Sequence, residues 1–173
     1  MTHKKLVKDI MIDVFEYPHI PYWFTIRQAI GIIKKSRIGT EKPIYPIAIL
    51  VFDEKYNLMG TITPECILKG LEPKIFKPGI LAEFEGADIE NAMTTYEAMM
   101  FNEEAKKRAE KPVSDIMIPA KIYVSSNDSI AKAAFVMIHH NVSILPVLEE
   151  GKKLVGVVKI FEIFDEISKT IIE

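Results

Sequence analysis

The chain has 173 residues, of which 49% are apolar, and its formal net charge is −2. This composition favours one compact domain, or two small ones that share a core, and argues against wholesale disorder. The near balance of 22 basic and 24 acidic residues argues against general nucleic-acid binding, which needs a basic field. A single cysteine, Cys66, excludes an internal disulfide and favours a cytoplasmic setting, and no apolar run reaches membrane length.

The first part of the chain is predicted to begin with a helical turn around residues 7–11. Thr25 can accept a hydrogen bond at the start of a helix that carries Ile26, Ala29, Ile30 and Ile33 at helical spacing. Strands are predicted over 48–52 and 58–63, joined by a charged turn. Thr63 then starts another helix, because the proline that follows it suits a first helical position.

A long connection follows, between residues 72 and 111. Its start is interrupted by prolines and a glycine and is predicted to be loop. From residue 88 the spacing predicts a helix with one methionine-rich side: Ile89, Ala92, Met93, Tyr96, Met99 and Met100. The charged residues 103–108 are expected to close this helix. Its methionine-rich side either packs on its own module or forms a partner surface, since methionine adapts to varied contacts.

The last part of the chain follows the plan of the first. A helical turn at 114–117 and a strand at 122–124 lead to residues 126–128, which are predicted to cap a helix carrying Ile130, Ala133, Ala134, Met137 and Ile138. Strands over 144–148 and 154–158 are predicted to form a hairpin. The final helix has an apolar face broad enough to contact more than one element: Ile160, Phe161, Ile163, Phe164, Ile167 and Ile171.

Two short segments occur twice. Lys8-Asp9-Ile10-Met11-Ile12 returns as Ser114-Asp115-Ile116-Met117-Ile118, and Leu58-Met59-Gly60-Thr61-Ile62-Thr63 returns as Leu154-Val155-Gly156-Val157-Val158-Lys159. Duplicated units bury their apolar faces against each other and leave clefts that serve as ligand sites. The first copy carries about eight extra residues around 38–46, an insertion of the kind that loops tolerate, so that Leu50 aligns with Pro146.

This order of segments resembles a tandem CBS-domain module, the regulatory unit that is also called a Bateman module. The resemblance covers residues 5–72 and 111–170, with 73–110 as a linker. It implies an α/β (α+β) fold of two tandem CBS repeats, related by pseudo-twofold symmetry, with small mixed sheets packed against helices. It also implies a homodimer, since two such modules often associate into a flat disc.

The resemblance further implies a regulatory ligand. Family members commonly bind adenosine-containing molecules (AMP, ADP, ATP and sometimes S-adenosylmethionine) in the clefts between repeats. The family's ligand signature is a glycine, two apolar residues, Ser or Thr, two variable residues and Asp. The carboxylate of that signature can hold the ribose hydroxyls, and its hydroxyl lies at a helix start that favours phosphate.

Each copy keeps a different part of this signature. The first has the hydroxyl of Thr63 but places Cys66, interpreted as a small buried apolar residue, at the carboxylate position. The second replaces the hydroxyl by Lys159 and the aspartate by Glu162. We expect the second cleft to be the better site, with Glu162 on the ribose and Lys159 as a charge for phosphate. In the alternative interpretation, both are solvated residues near a helix start and Thr63 is only a helix cap.

Loop residues complete the candidate ligand site by position alone: Ile12, Asp13, Ile118, Pro119 and Ala120. No catalytic residue or metal ligand is predicted. The adjacent histidines 139 and 140 point about 100° apart on a helix and suit one metal poorly, so we expect them to offset the dipole at a helix C-terminus. An aromatic run before the first helix is interpreted as core packing in preference to a base-stacking platform: Tyr17, Tyr22, Trp23 and Phe24.

The sequence therefore predicts a regulatory module that senses an adenosine-containing nucleotide and is not an enzyme. AMP, ADP or ATP is the candidate ligand, no cofactor is required, and an unknown effector protein reads the state. The alternative is a CBS scaffold that has lost nucleotide binding and mediates dimerisation or partner binding. An enzyme would require a histidine or carboxylate pair to converge in space. Neither nucleic acid nor a membrane is expected as a partner.

Overall fold

The structure is a computed structural model that describes residues 5–36, 48–76, 79 and 87–172. The predicted insertion around 38–46 lies outside the described residues. The strands of the described chain are β1 (Ile12–Asp13), β2 (His19–Pro21), β3 (Ile49–Phe52), β4 (Leu58–Ile62), β5 (Ile118–Pro119), β6 (Val124–Ser125), β7 (Ile144–Glu149) and β8 (Lys153–Lys159). Its helices are α1 (Ile26–Lys35), α2 (Pro64–Leu71), α3 (Ala87–Met100), α4 (Glu103–Arg108), α5 (Ile130–His140) and α6 (Ile160–Ile172). The predicted mixed α+β class is confirmed.

The two sheets exchange their edge strands. One sheet has the order β2-β3-β4-β5 and the other β1-β8-β7-β6. β5 belongs to the second half of the chain but pairs with β4 of the first, so that Ile118 lies opposite Thr61. In the same way β1 pairs with β8, with Ile12 opposite Val157. The segments Ile12–Asp13 and Ile118–Pro119, which the sequence places in loops, are therefore short strands that join each repeat to the other.

The two hairpins share one register. Val51 lies opposite Gly60 and Val147 opposite Gly156, and each hairpin has an irregularity directly after that valine. One residue earlier, Leu50 lies opposite Thr61 and Pro146 opposite Val157. The predicted alignment of Leu50 with Pro146 is thereby confirmed.

The described residues form three apolar clusters in the core. One belongs mainly to the first repeat and is built around Ile20, Ile26, Ile49, Val51 and Ile62. The second belongs mainly to the second repeat and is built around Val124, Ala133, Met137, Leu145 and Val158. The third draws on both repeats: Val14, Tyr17, Ala48, Leu50, Phe52, Ile144 and Val157. Because this third cluster is shared, neither repeat buries all of its apolar surface alone.

Polar side chains cap the first turns of α1, α2 and α5. The sequence predicts the first two caps correctly and places the third at the wrong residue. Thr25 accepts a hydrogen bond from the Gln28 amide, and Thr63 accepts one from the Cys66 amide. The predicted cap of α5 within 126–128 is wrong, because the capping residue is Ser129, which accepts from the Lys132 amide. Asp128 instead closes the preceding turn by accepting from the Ser125 amide at 2.8 Å.

The described part of the connection between the repeats contains two helices where one was predicted. α3 ends at Met100, and Asn102 starts α4 by accepting a hydrogen bond from the Ala105 amide. Arg108 then donates to the Leu71 carbonyl at 2.5 Å and to the Met99 carbonyl at 2.6 Å. The charged segment 103–108 therefore ties the ends of α2 and α3 together.

Most of the predicted apolar face of α6 remains exposed. Ile163 is buried in the second-repeat core, and the helix contacts α5 and β8. Phe161, Phe164 and Ile171 are exposed, Phe164 to 66% of its surface. The apolar face of α6 is therefore larger than the part of it that packs against other described residues.

Candidate functional site

Two glycines allow the exchanged strands to cross closely, and this crossing shapes the clefts between the repeats. A Cβ atom on Gly60 would lie 2.4 Å from the carbonyl oxygen of Ile118, and one on Gly156 would lie 2.5 Å from that of Ile12. Such distances are shorter than real contacts allow, so only glycine fits both positions. The glycine of the ligand signature therefore has a structural role in this chain.

The first cleft brings several of the sequence-predicted residues together. A cavity of about 180 Å³ is lined by Thr63, Ile118, Pro119 and Ala120, and by residues 141–146 on the facing side. The Thr63 hydroxyl caps α2 and donates a hydrogen bond to the Cys66 sulfur at 3.1 Å. Cys66 is buried, as predicted, and supplies no carboxylate. This cleft is smaller than the roughly 300–1,000 Å³ typical of small-molecule sites.

The helix start that the sequence assigns to the second cleft holds an ion pair between the two residues that the sequence singled out. The Lys159 ammonium lies 3.0 Å from Oε1 of Glu162, and the Lys159 amide donates to Oε2 at 3.1 Å. The side chains are 12% and 25% exposed, so neither is freely solvated. A lysine and a glutamate three residues apart face each other at a helix start. Both carboxylate oxygens of Glu162 are therefore already engaged.

The predicted loop residues of the second cleft lie beside this ion pair along the exchanged strand. β1 runs antiparallel to β8 and places Ile12 opposite Val157, two residues before Lys159. The Asp13 carboxylate accepts a hydrogen bond from the Phe15 amide at 2.8 Å and so starts the turn Val14–Glu16. The Asp13 carboxylate therefore holds the backbone that follows β1.

Tyr17 is a site residue that the sequence indicated only as core packing. The side chain is 1% exposed, and its hydroxyl has no hydrogen-bond partner among the described residues. Burial raises the pKa of the phenol, the Ala48 backbone, which faces the hydroxyl without a well-formed hydrogen bond, offsets part of this effect, and the Glu162 carboxylate raises the pKa further. The first copy is two residues longer than the second between Asp9 and Ala29, and this extra length accommodates the turn before Tyr17.

Replacing the Tyr17 hydroxyl should stabilise the protein. Tyr17→Phe removes a buried polar group that lacks a partner, so we expect the free energy of unfolding to rise by about 1 kcal/mol in urea denaturation. The raised pKa means that the wild type loses stability as the pH rises above the ordinary tyrosine value of about 10, and the variant should lose less. Tyr22→Phe is the control, because the Tyr22 hydroxyl donates to the exposed Glu54 at 2.6 Å. A loss of stability in Tyr17→Phe would show that the Tyr17 hydroxyl makes a stabilising hydrogen bond.

The paired histidines lie at the end of α5, as predicted. The helix ends at Asn141, which adopts the left-handed conformation with a φ of 53°. The His139 ring packs against the Phe135 ring, with the ring centroids 4.1 Å apart. Within the described ranges, no group of three or more His, Cys, Asp or Glu side chains is placed to hold a metal ion. The described helices also include none with the length and apolar character needed to cross a membrane.

The fold and the clefts define a class of protein. Residues 113–169 match the family model of the CBS domain. A CBS domain-containing protein from Bacillus anthracis aligns over 96% of this chain and 94% of its own, with a TM-score of 0.65 at 23% identity. CBSX2 from Arabidopsis thaliana aligns over 99% of both chains, with a TM-score of 0.65 at 15% identity. Residues 113–169 are thus similar to a CBS domain, and the chain has the fold of tandem CBS pairs, so the predicted resemblance is confirmed.

Two similar structures carry adenosine-containing ligands. CBSX2 was also solved in complex with AMP, and that structure aligns over 95% of this chain and 97% of its own, with a TM-score of 0.62 at 14% identity. A CBS-domain pair in complex with 5′-methylthioadenosine and S-adenosyl-L-methionine aligns over 97% and 99%, with a TM-score of 0.64 at 20% identity. At these identities the likeness establishes the fold. A search of curated proteins found no match to the sequence.

Proposed function

We propose that this protein is a regulatory, non-catalytic module that senses an adenosine nucleotide in its second cleft. The observation that carries the proposal is the partly buried ion pair of Lys159 and Glu162 beside the buried hydroxyl of Tyr17. A carboxylate and an ammonium at one helix start are the groups that a ribose diol and a phosphate require. The adenosine-containing ligands of the similar structures support this choice.

Nucleotide binding exchanges the partners of both charged groups. The ribose hydroxyls donate to the Glu162 carboxylate, and the phosphate takes over the Lys159 ammonium. A nucleoside without phosphate would leave that ammonium unpaired in a partly buried position, which is unfavourable. We therefore expect AMP, ADP or ATP to bind more tightly than adenosine.

The regulatory signal arises because the ligand contacts both repeats. Glu162 and Lys159 belong to the second repeat, whereas Tyr17 and β1 belong to the first. A ligand that binds one relative arrangement of the repeats better shifts the population toward it. An effector protein then reads the favoured arrangement. The proposed repeats are residues 5–72 and 111–170, joined by 73–110, and the lone cysteine supports a cytoplasmic setting.

Isothermal titration calorimetry with AMP, ADP, ATP and S-adenosylmethionine tests this proposal. We expect saturable binding of at least one adenine nucleotide, and Glu162→Ala should weaken it about tenfold or more, because a charged hydrogen-bond acceptor is lost. Glu162→Gln should show the same loss while keeping an acceptor for the Lys159 amide. Lys159→Ala should reduce the preference for AMP over adenosine.

The control for these variants is Asp165→Ala, three residues further along α6. Asp165 pairs with Lys169 at 3.2 Å and is 71% exposed, so its removal should leave nucleotide affinity unchanged. If no nucleotide binds at millimolar concentration, or if Glu162→Gln binds like the wild type, the second cleft is not the sensor.

A second candidate function is that of a scaffold that assembles through its helices. The observation that favours it is the exposed apolar face of α6. We propose that this face pairs with a second copy to form a homodimer. In that case the protein would organise partners whether or not a nucleotide binds.

A further inference from the structure

A third pocket lies between the hairpin turns of the two repeats. Its volume is about 410 Å³, within the range of small-molecule sites. Its apolar wall comes from matching positions of the two hairpins: Phe52 lies opposite Leu58, and Leu148 lies opposite Leu154. The pocket shares three residues with the wall of the first cleft but contains none of Thr63, Lys159 and Glu162. It is therefore a separate candidate site that a ligand would fill from both repeats.

Three aromatic side chains line this pocket and are more than half exposed: Phe15, Tyr56 and Tyr123. Tyr56 has a φ of 63°, which a bulky residue rarely adopts. Its ring stacks on Phe52 with centroids 4.6 Å apart, and its hydroxyl lies 2.8 Å from Nε2 of His19. Nδ1 of His19 in turn lies 3.1 Å from the Tyr17 carbonyl and so donates to it. Nε2 of that tautomer accepts from the tyrosine, and the ring is held at two points.

A held aromatic ring at a strained turn is a preorganised surface for stacking. Strain of this kind persists only where the surrounding structure enforces it, and it concentrates at functional positions. A flat ligand ring can stack on the Tyr56 ring. Because the Tyr56 side chain is already held in place, binding does not have to order it first. The geometry therefore suits a planar aromatic ligand.

The charged residues that line the pocket are both basic. Lys152 and Lys153 lie on its wall, and none of the described residues that line it carries a carboxylate. Among the residues that the structure describes, neither ammonium takes part in an ion pair. An anionic group on the ligand would supply a counter-charge inside the pocket, in addition to Glu149, which lies opposite Lys153 in the hairpin.

We propose that this pocket binds a planar aromatic anion, a fused-ring or biaryl molecule that carries one carboxylate or sulfonate. Its ring stacks against Tyr56 and Tyr123, and its anionic group contacts Lys152 and Lys153. Because both hairpins contribute, occupancy stabilises one arrangement of the two repeats without a contact to Thr63, Lys159 or Glu162.

Two matched dyes test the proposal by fluorescence titration of the intact protein. Anilinonaphthalene sulfonate has the proposed chemistry, and N-phenylnaphthylamine has nearly the same rings without the charge. We expect one saturable sulfonate site per chain. The double substitution Lys152→Gln and Lys153→Gln should weaken the sulfonate dye about tenfold and leave the neutral dye unchanged. Tyr123→Ala should weaken both dyes.

The apolar face of α6 is the competing surface for such dyes, so Phe164→Ala is the control and should leave the affinity of the lysine-dependent site for the sulfonate dye unchanged. Amide chemical-shift mapping of the wild type, which needs no variant to fold, should place the sulfonate dye at residues 54–58 and 150–154. Equal affinity for the two dyes, insensitivity to the lysine substitutions, or shifts centred on α6 would each overturn the proposal.

Discussion

Substituting Gly60 by alanine should lower the free energy of unfolding by about 3 kcal/mol, because the new methyl group would overlap backbone atoms that cannot rotate away. The added Cβ would lie 2.4 Å from the Ile118 oxygen and 3.1 Å from the sulfur of Met117. β5 would have to leave its place beside β4. Ile118, Pro119 and Ala120 would then be displaced from the first cleft.

The measurement is urea denaturation followed by circular dichroism. A shift of this size corresponds to a melting temperature lower by about 8 °C for a domain of this length. The chain provides a matched control in Gly31, which lies within α1 and whose Cβ, apart from its own helix backbone, would meet no atom of the described residues within 4 Å. Gly31→Ala should stabilise the protein by about 0.5–1 kcal/mol, since alanine restricts the unfolded chain. Equal effects of the two substitutions would contradict the close strand crossing.

Phe164→Asp should dissociate the proposed homodimer and raise its Kd about a hundredfold. The substitution places a charge where the dimer would bury an aromatic side chain. Phe161, Phe164 and Ile171 follow one another on one side of α6, and all three are exposed. On the neighbouring helix α5, Phe135 and Ile138 are exposed as well. A contiguous apolar surface of this kind is uncommon on a monomer and marks an interaction site.

The first repeat offers a matching surface. A groove between α1 and α2 has an apolar lining apart from Lys34: Ile30, Ile33, Pro64, Ile67, Leu68 and Leu71. These helices hold the positions in the first repeat that α5 and α6 hold in the second. A second copy could therefore cover both helix pairs at once.

Sedimentation velocity over a range of protein concentrations checks the dimer prediction. Phe101→Asp is the control, because Phe101 is also exposed but lies between α3 and α4, away from α6. It should leave the dimer intact. A wild type that stays monomeric at the highest concentrations would rule out this interface.

Local patterns in the sequence were sufficient for the hairpins and for most helix starts. Thr25 and Thr63 were recognisable as caps because a cap acts on an amide only a few residues away. The cap of α5 was misplaced by one residue, since 126–129 offers four polar side chains in a row and only Ser129 directly precedes the helix. The end of α3 was missed because Asn102 looks like any polar residue within a charged helix.

Local patterns in the sequence do not predict the exchange of edge strands between the repeats. β1 and β5 have two residues each, too few to show a strand period, and their partners lie in the other repeat. In the second cleft, the spacing of Lys159 and Glu162 was itself a signal for an ion pair. The approach of Tyr17 to Glu162 depends on packing between repeats, which no spacing within one segment reveals.

The strand exchange also has a consequence for the order in which the protein is made. During synthesis, β1 leaves the ribosome well before its partner β8, because strands β2 to β7 and helices α1 to α5 lie between them in the chain. The sheet to which β1 belongs therefore cannot be completed until β8 has been made. Because contacts between such distant segments form slowly, β1 must remain without its native partner while the segments between them are synthesised.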